Sequence, residues 1–374
     1  MKILMTGGGT AGHINPALAI ADALAREYPG STIKFVGREG GMESRLVPQA
    51  GYEFIPMEVQ GFHRSFTPAA ILHNIGAAYK AVTGRHRAKK IIREFAPDLV
   101  VGTGGYVSGP LMDAAASLGI RTAIHEQNAF PGVTTKLLAK KVDLVLMANS
   151  DAAKHLQIKG RSAEVGNPVR REIIFADREA ARKRLAPEGK PLLLSYGGSL
   201  GAKVLNEAMV GVIAETAPKK EFYHIHGTGK EWFPIMHRLL KEQGVEEADC
   251  PLLDIREYIN DMADCMAASD LLICRAGAIT LSEITVMGKP SILIPSPNVT
   301  ENHQYHNAMS LVRRGAAVII EEKDLTPQRL TQEVCRLLED PETLAELSKN
   351  ARGMAFADSA ERIVCEIRKL FEER

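Results

Sequence analysis

A short apolar run, a glycine-rich turn and a helix-spaced stretch follow one another twice in this chain, about 190 residues apart. The first copy runs from Lys2-Ile3-Leu4-Met5 into "GGGTAGH" (Gly7–His13). Ile14, Ala17, Leu18, Ala21 and Leu24 then recur at helical spacing. Pro16 falls in the first helical turn, where its missing N–H costs nothing. The second copy is "PLLLSYGGSLGAKVLNEAM" (Pro191–Met209). A fainter echo links "DLVVGTGGYVSGPLM" from Asp98 with "DLLICRAGAITLSEI" from Asp270: apolar strand, small-residue turn, helix. Strand–turn–helix units of this kind aim free backbone N–H groups and the positive end of a helix dipole at one place, which suits a phosphate. Gly7, Gly9 and Gly12 also satisfy G-x-G-x-x-G, which points first to a dinucleotide enzyme. The plainer alternative is that these glycines only let strand and helix pack closely.

At 374 residues the chain exceeds one ordinary core, so two domains are expected. Strands are expected at Lys2–Thr6, Thr32–Val36, Asp98–Gly102, Thr122–His125 and Leu144–Met147, with helical patterns between them. That alternation predicts a parallel sheet wrapped by helices. "GNPVRRE" (Gly166–Glu172) reads as a linker, after which the pattern restarts. The expected architecture is α/β: two tandem Rossmann-like, doubly wound domains over 1–168 and 169–354, facing a cleft. Ser359–Phe371 has helical spacing (Ile363, Ile367, Leu370), and segment 355–374 is expected to cross back onto the first domain.

Lys plus Arg (46) nearly balance Asp plus Glu (45), so there is no global polyanion signal and no nucleic-acid partner is expected. Hydrophobic content of 45% with 24% charged residues is that of a soluble globular protein. Cys250, Cys265, Cys274, Cys335 and Cys365 are scattered without C-x-x-C spacing, which reads as reduced thiols rather than disulfides or zinc ligands. The opening residues lack a signal-peptide pattern, and no apolar run of about 18 residues exists to span a bilayer.

In the second half, Gly197-Gly198-Ser199-Leu200-Gly201 opens a helix and suits a diphosphate. "CRAGAITLSE" places Thr280, Ser282 and Glu283 at another helix start. Glu283 can accept two hydrogen bonds from a ribose diol there, or simply compensate the helix dipole. "NHQYHN" (Asn302–Asn307) adds the amide of Gln304. Between Thr67 and Phe95, Ile71, Ile75, Ala78 and Val82 form a helical stripe with Leu72 and Tyr79 beside it; Arg85, Arg87, Lys89 and Lys90 follow. Lys136, Lys140 and Lys141 end another helix. This is the composition of an interfacial anchor on anionic lipid, or of a core-facing helix with a solvated charged end.

These residues match a family. "GGGTAGHINPALAIA", "GTGGYVSGP", "HEQNAFPG", "VGNPVR", "GGSLGA", "EYINDMA", "CRAGAITLSE" and "ENHQYHNA" run in order from residue 7 to residue 308. The chain resembles the family 28 peptidoglycan glycosyltransferases, which join N-acetylglucosamine from UDP-N-acetylglucosamine to lipid I, giving lipid II. The resemblance implies the glycosyltransferase-B fold and an inverting transfer to the 4-hydroxyl of N-acetylmuramic acid on an undecaprenyl-pyrophosphoryl acceptor. It implies peripheral attachment at the cytoplasmic face of the bacterial cell membrane, a part in cell shape and division, and cell-wall assembly proteins as partners. For the donor it implies Thr10, Ala11 and Gly12 beside the sugar and diphosphate, Asn128 on a sugar hydroxyl and Arg170 near the nucleotide. Ser199 approaches the diphosphate, and the Ile259 backbone reads uracil. Ala278, Ile279, Thr280, Leu281, Ser282 and Glu283 hold the α-phosphate and ribose, and Gln304 lies near the sugar hydroxyls. His303 stands where some relatives have a second glutamine. On the acceptor and membrane side it implies Tyr106, Ser108, Ile75, Tyr79, Lys89, Lys90 and Lys140.

Inverting displacement needs a base on the acceptor hydroxyl and charge relief on the leaving diphosphate, because the sugar becomes oxocarbenium-like. A histidine suits the base. His13 is the first candidate, with His125 and Glu126 as rivals; a histidine capping its own loop is the bland alternative. No D-x-D triplet occurs, so no metal and no cofactor are expected, and helix N-termini with Arg170 supply the charge relief. Three other readings compete. A transferase with a soluble acceptor would keep the second-domain motifs. A dinucleotide oxidoreductase needs an acidic residue ending the second strand about 20 residues on, for which Glu39 is poorly placed. A non-catalytic nucleotide-sugar sensor would have no use for His13.

Overall fold

In a computed structural model, which describes residues 1–60, 67, 83–198 and 200–372, each half of the chain builds one all-parallel sheet. The first contains β1 (Lys2–Thr6), β2 (Thr32–Arg38), β3 (Glu53–Met57), β4 (Leu99–Gly102), β5 (Arg121–Glu126), β6 (Leu144–Met147) and β7 (Arg161–Glu164). Their order is β3-β2-β1-β4-β5-β6-β7. Strands of a parallel sheet are buried on both faces, so they read as continuous apolar runs. Ile3 and Met5 of β1 join one layer with Ala17, Ile20 and Leu24, and Leu4 joins the other with Leu111, Met112 and Ile124. Ile363, Val364, Ile367 and Leu370 of the helix Ser359–Glu372 complete the first layer. Arg121 Nε donates to the Leu370 carbonyl at 2.9 Å, and its guanidinium stacks over Phe371.

The second sheet contains β8 (Leu192–Tyr196), β9 (Tyr223–Gly227), β10 (Leu253–Arg256), β11 (Leu271–Cys274), β12 (Ser291–Leu293) and β13 (Val318–Ile319), in the order β10-β9-β8-β11-β12-β13. Here too successive residues serve opposite layers: Leu192, Leu194 and Tyr196 one, Leu193 the other. The chain divides into two compact units, Met1–Pro168 with Asp358–Arg374, and Val169–Ala357. The division falls inside the Gly166–Glu172 string.

In each sheet the strand order reverses beside the first strand, between β1 and β4 and between β8 and β11. Ligands of doubly wound sheets bind beyond the strand carboxyl ends at that point. Both glycine-rich turns, and the turns after β4 and β11, lie there. Among the described residues, no helix is long and apolar enough to cross a membrane. The apolar stripe Ile71, Leu72, Ile75, Ala78, Tyr79 and Val82 lies outside the described residues, as does Ser199.

Candidate active site

The bare turn after β1 has two jobs. Gly7 and Gly8 are buried and serve packing: a Cβ on Gly7 would overlap Thr103 Oγ1, and one on Gly8 would lie 2.5 Å from the Glu43 carboxylate. Glu43, itself buried, accepts the N–H groups of Gly9 and Arg38. The exposed rim is Gly9-Thr10-Ala11-Gly12, at the start of the helix Ala11–Glu27. That helix has no side-chain cap and no acidic residue in its first turn, so its first N–H groups stay available to an anion. The helices Gly105–Ser117, Lys203–Thr216 and Ala278–Met287, which follow β4, β8 and β11, likewise have no side-chain cap and no acidic residue in the first turn. By contrast, Asp177, Thr326 and Asp340 cap helices away from the two reversal points.

His13 sits half-buried in the first turn of its helix. Its Nδ1 lies 2.9 Å from the Thr103 carbonyl and 3.0 Å from Gln127 Oε1, both acceptors, so Nδ1 carries the hydrogen. Nε2 has no hydrogen-bond partner among the described residues and holds the lone pair a base needs. The turn after β4 makes this fit possible. Gly104 and Gly105 adopt φ of +93° and +75°, and a Cβ on either would come within 3.2 Å of the His13 ring.

His125 is fully buried, with Nε2 donating to the Gly166 carbonyl at 2.9 Å and Nδ1 accepting from Gln127 Nε2 at 3.0 Å. Burial lowers its pKa, so the ring stays neutral. Glu126 is also buried; its carboxylate receives the Asn128 N–H and side-chain amide and the Gly132 N–H. Both rivals of His13 are thus occupied in building the loop that carries Asn128. Tyr106 is half-buried, with its hydroxyl accepting from Arg38 and its ring edge against Gly9. Ser108 is fully buried and its hydroxyl donates to the Gly105 carbonyl, closing its own helical turn. Lys89 is half-buried, and Lys90 and Lys140 are exposed.

In the second unit, Glu283 is buried at the second turn of its helix. Burial pushes its carboxyl above the usual range, against the pull of the Arg170 guanidinium. Arg170 Nε and Nη2 approach Oε1 at 3.3 and 3.2 Å, while Nη1 holds Glu172. Ala278, Ile279, Thr280 and Ser282 are half-buried along the same helix start, and Leu281 points into the core. Ser282 donates back to the Ala278 carbonyl. The Ile259 side chain is buried against Gly227. Its backbone N–H and carbonyl have no hydrogen bond among the described residues, which leaves one donor and one acceptor for a base edge. Gln304 Oε1 accepts the Ser296 N–H at 2.9 Å, fixing the amide. His303 donates to the Thr300 carbonyl. Asn307 ties the helix His303–Val312 to the turn after β11 through the Ala276 carbonyl.

Thr103, Gln127, Gly104 and Gly105 went unmarked as site residues by sequence reasoning, although all four stand inside quoted strings. What singles them out is their contact with His13, which sequence order hides.

Known proteins resemble the chain over its whole length. The glycosyltransferase family 28 N-terminal domain matches residues 3–147, and the family 28 C-terminal domain matches residues 192–363. A UDP-N-acetylglucosamine–N-acetylmuramyl-(pentapeptide) pyrophosphoryl-undecaprenol N-acetylglucosamine transferase from Acetivibrio thermocellus is 44% identical over 97% of this chain and 96% of its own. A protein of the same name from Alkaliphilus oremlandii is 36% identical over 100% of both chains. Among solved structures, MurG of Acinetobacter baumannii superposes with a TM-score of 0.79 at 29% identity, covering 98% of this chain and 99% of the other.

Proposed function

This chain belongs to glycosyltransferase family 28, and from that premise we propose that it moves N-acetylglucosamine from UDP-N-acetylglucosamine to the 4-hydroxyl of N-acetylmuramic acid in undecaprenyl-pyrophosphoryl-linked lipid I. The product is lipid II, with inversion at the anomeric carbon. The substrate pair rests on the full-length match to relatives named for that reaction. The observation that carries the chemistry is the bare Nε2 of His13 beside the exposed Gly9–Gly12 rim. His13 Nε2 takes the proton of the attacking hydroxyl as the oxygen closes on the anomeric carbon. The negative charge that develops on the leaving diphosphate is met by the uncapped starts of the helices Lys203–Thr216 and Ala278–Met287 and by Arg170. Glu283 holds the ribose diol, the Ile259 backbone reads uracil, and Asn128 and Gln304 hold sugar hydroxyls.

The lipid acceptor calls for peripheral attachment at the cytoplasmic membrane face. Val133 and Leu137 are exposed one helical turn apart on the helix Val133–Leu138, with Lys136, Lys140 and Lys141 beside them. Exposed apolar side chains with lysines nearby in the chain support contact with an anionic surface.

Incubation with radiolabelled UDP-N-acetylglucosamine and a short-chain lipid I analogue tests the reading. Label is expected in the lipid product. Donor binding without transfer would overturn it in favour of another acceptor or a sensor.

A further inference from the structure

We infer that Gln127 and His125 act as one positioning device for His13, fixing which ring nitrogen bears the proton and supporting the ring once it is charged. This deepens, and rests on, the reading of His13 as the base. One group in the chain of contacts cannot change its role. The Gly166 carbonyl only accepts, so His125 Nε2, 2.9 Å away, is the protonated nitrogen. Fully buried and neutral, His125 offers a lone pair at Nδ1. That lone pair takes one hydrogen of the Gln127 amide at 3.0 Å, and the His125 carbonyl takes the other at 2.9 Å. With both hydrogens committed the amide cannot flip, and Oε1 must face His13.

Gln127 Oε1 and the Thr103 carbonyl then meet Nδ1 of His13 together. Thr103 alone favours the Nδ1–H tautomer. Gln127 adds a second acceptor, and two donations from its nitrogen make its oxygen more negative. When Nε2 takes the hydroxyl proton, positive charge spreads over the ring and both oxygens answer it. Gln127 thus stands where serine hydrolases put an aspartate. Being neutral, it supports the imidazolium without holding the resting ring protonated, and a resting base must be unprotonated.

Histidine 15N NMR of the full chain reads the tautomer directly, with His13 assigned by its loss in His13→Gln. A protonated Nδ1 and a bare Nε2 are expected; the opposite pattern overturns the proposal whatever the turnover. Gln127→Met is expected to lower kcat by about tenfold or more, with the KM for UDP-N-acetylglucosamine within about twofold of the parent. An unchanged kcat overturns the proposal. Gln127→Glu restores an acceptor but adds charge, so the acid limb of the kcat profile should move up by about one pH unit; an unmoved limb also overturns it. Adding His125→Phe to Gln127→Met should cost little more, because both break one device. A full additional loss separates the two residues and overturns their coupling. If Gln127→Met fails to fold, the glutamate variant and the parent spectrum decide. Normal turnover in His13→Ala would remove the base itself while leaving the tautomer result standing, so the two readings fail separately.

Discussion

Glu283 is pulled in two directions, and the balance sets how its site responds to pH. Burial raises its pKa, and Arg170 works against that. A carboxylate accepting from a diol makes charge-assisted hydrogen bonds worth about 1.5–3 kcal/mol each. Glu283→Ala should therefore weaken UDP-sugar binding by at least about tenfold, read by calorimetric titration, while acceptor binding holds. Equal loss of both ligands would refute the ribose role. Arg170→Ala leaves burial unopposed and raises the carboxyl further. Protonation then sets in at higher pH than in the parent, so the variant's donor affinity should begin to fall sooner than the parent's as the buffer is made more acidic. Parallel pH profiles would argue against the pair. Glu283 read from spacing alone stayed open between holding a ribose diol and compensating a helix dipole, and only the family resemblance favoured the diol. Gln127 could not be picked from sequence, since its meaning lies in residues 114 positions away and two positions away at once. Gly7 and Gly8 looked ligand-driven and are held by Thr103 and Glu43, a distinction no spacing rule contains.

At the scale of elements, three parallel strands begin with the same device. Asp98, Asp143 and Asp270 each precede a leucine that opens β4, β6 or β11, and each carboxylate accepts an N–H at the start of the strand alongside: the first residue Lys2 of β1, the second residue Thr122 of β5 and the first residue Leu192 of β8, at 2.7, 2.8 and 2.9 Å. The echo between Asp98 and Asp270 was visible in sequence as a repeated string; its cause is this shared edge. β3 was missed because Pro56 breaks the strand pattern, and such a residue is tolerated at the sheet margin that β3 occupies. Asp270 also holds Arg178 and Arg182. Burial raises its pKa, but the Leu192 N–H and the two arginines keep it below the usual carboxylate range. Asp270→Asn should cost about 2–4 kcal/mol in urea unfolding, and Asp98→Asn less; equal costs would show that the arginines add nothing. The stabilisation from Asp270 is present above the unfolded pKa and is lost as pH falls through the lower folded value. A different window belongs to β8 and β9, where Ser195 bridges the buried His224 and His226 at 2.8 Å each. Burial lowers both pKa values, that of His226 to about 4. Their neutral forms stabilise the fold above the unfolded value near 6.5, and that stability drains away as pH falls toward 4. His226 alone accounts for about 3 kcal/mol. Urea midpoints for the Val169–Ala357 sheet should thus drop between pH 6.5 and 4.5, and His226→Asn should flatten the slope. An unchanged slope would mean that His226 titrates normally.

For the whole molecule, 46 basic against 45 acidic residues leave no long-range field to draw it to an anionic surface. Any attraction must be local, and much of the local charge is already answered. Arg85 and Lys141 share Asp113 at 2.9 and 2.6 Å, and Lys90 faces Glu94. Lys89 and Lys140 have no acidic partner among the described residues, and exposed Leu137 lies close to Lys140 in sequence. A cation without an acidic partner, near an exposed apolar side chain, gains from meeting anionic lipid. Each lysine near such a surface is worth about 1 kcal/mol, so Lys89→Glu with Lys140→Glu should reduce partitioning onto phosphatidylserine-containing vesicles by about thirtyfold or more at low salt. The deficit should shrink as salt screens the charges. Leu137→Asp should weaken binding at high salt as well, because it removes apolar contact rather than charge. If the lysine pair can be reversed with no change in vesicle sedimentation at low salt, these residues take no part in binding anionic lipid.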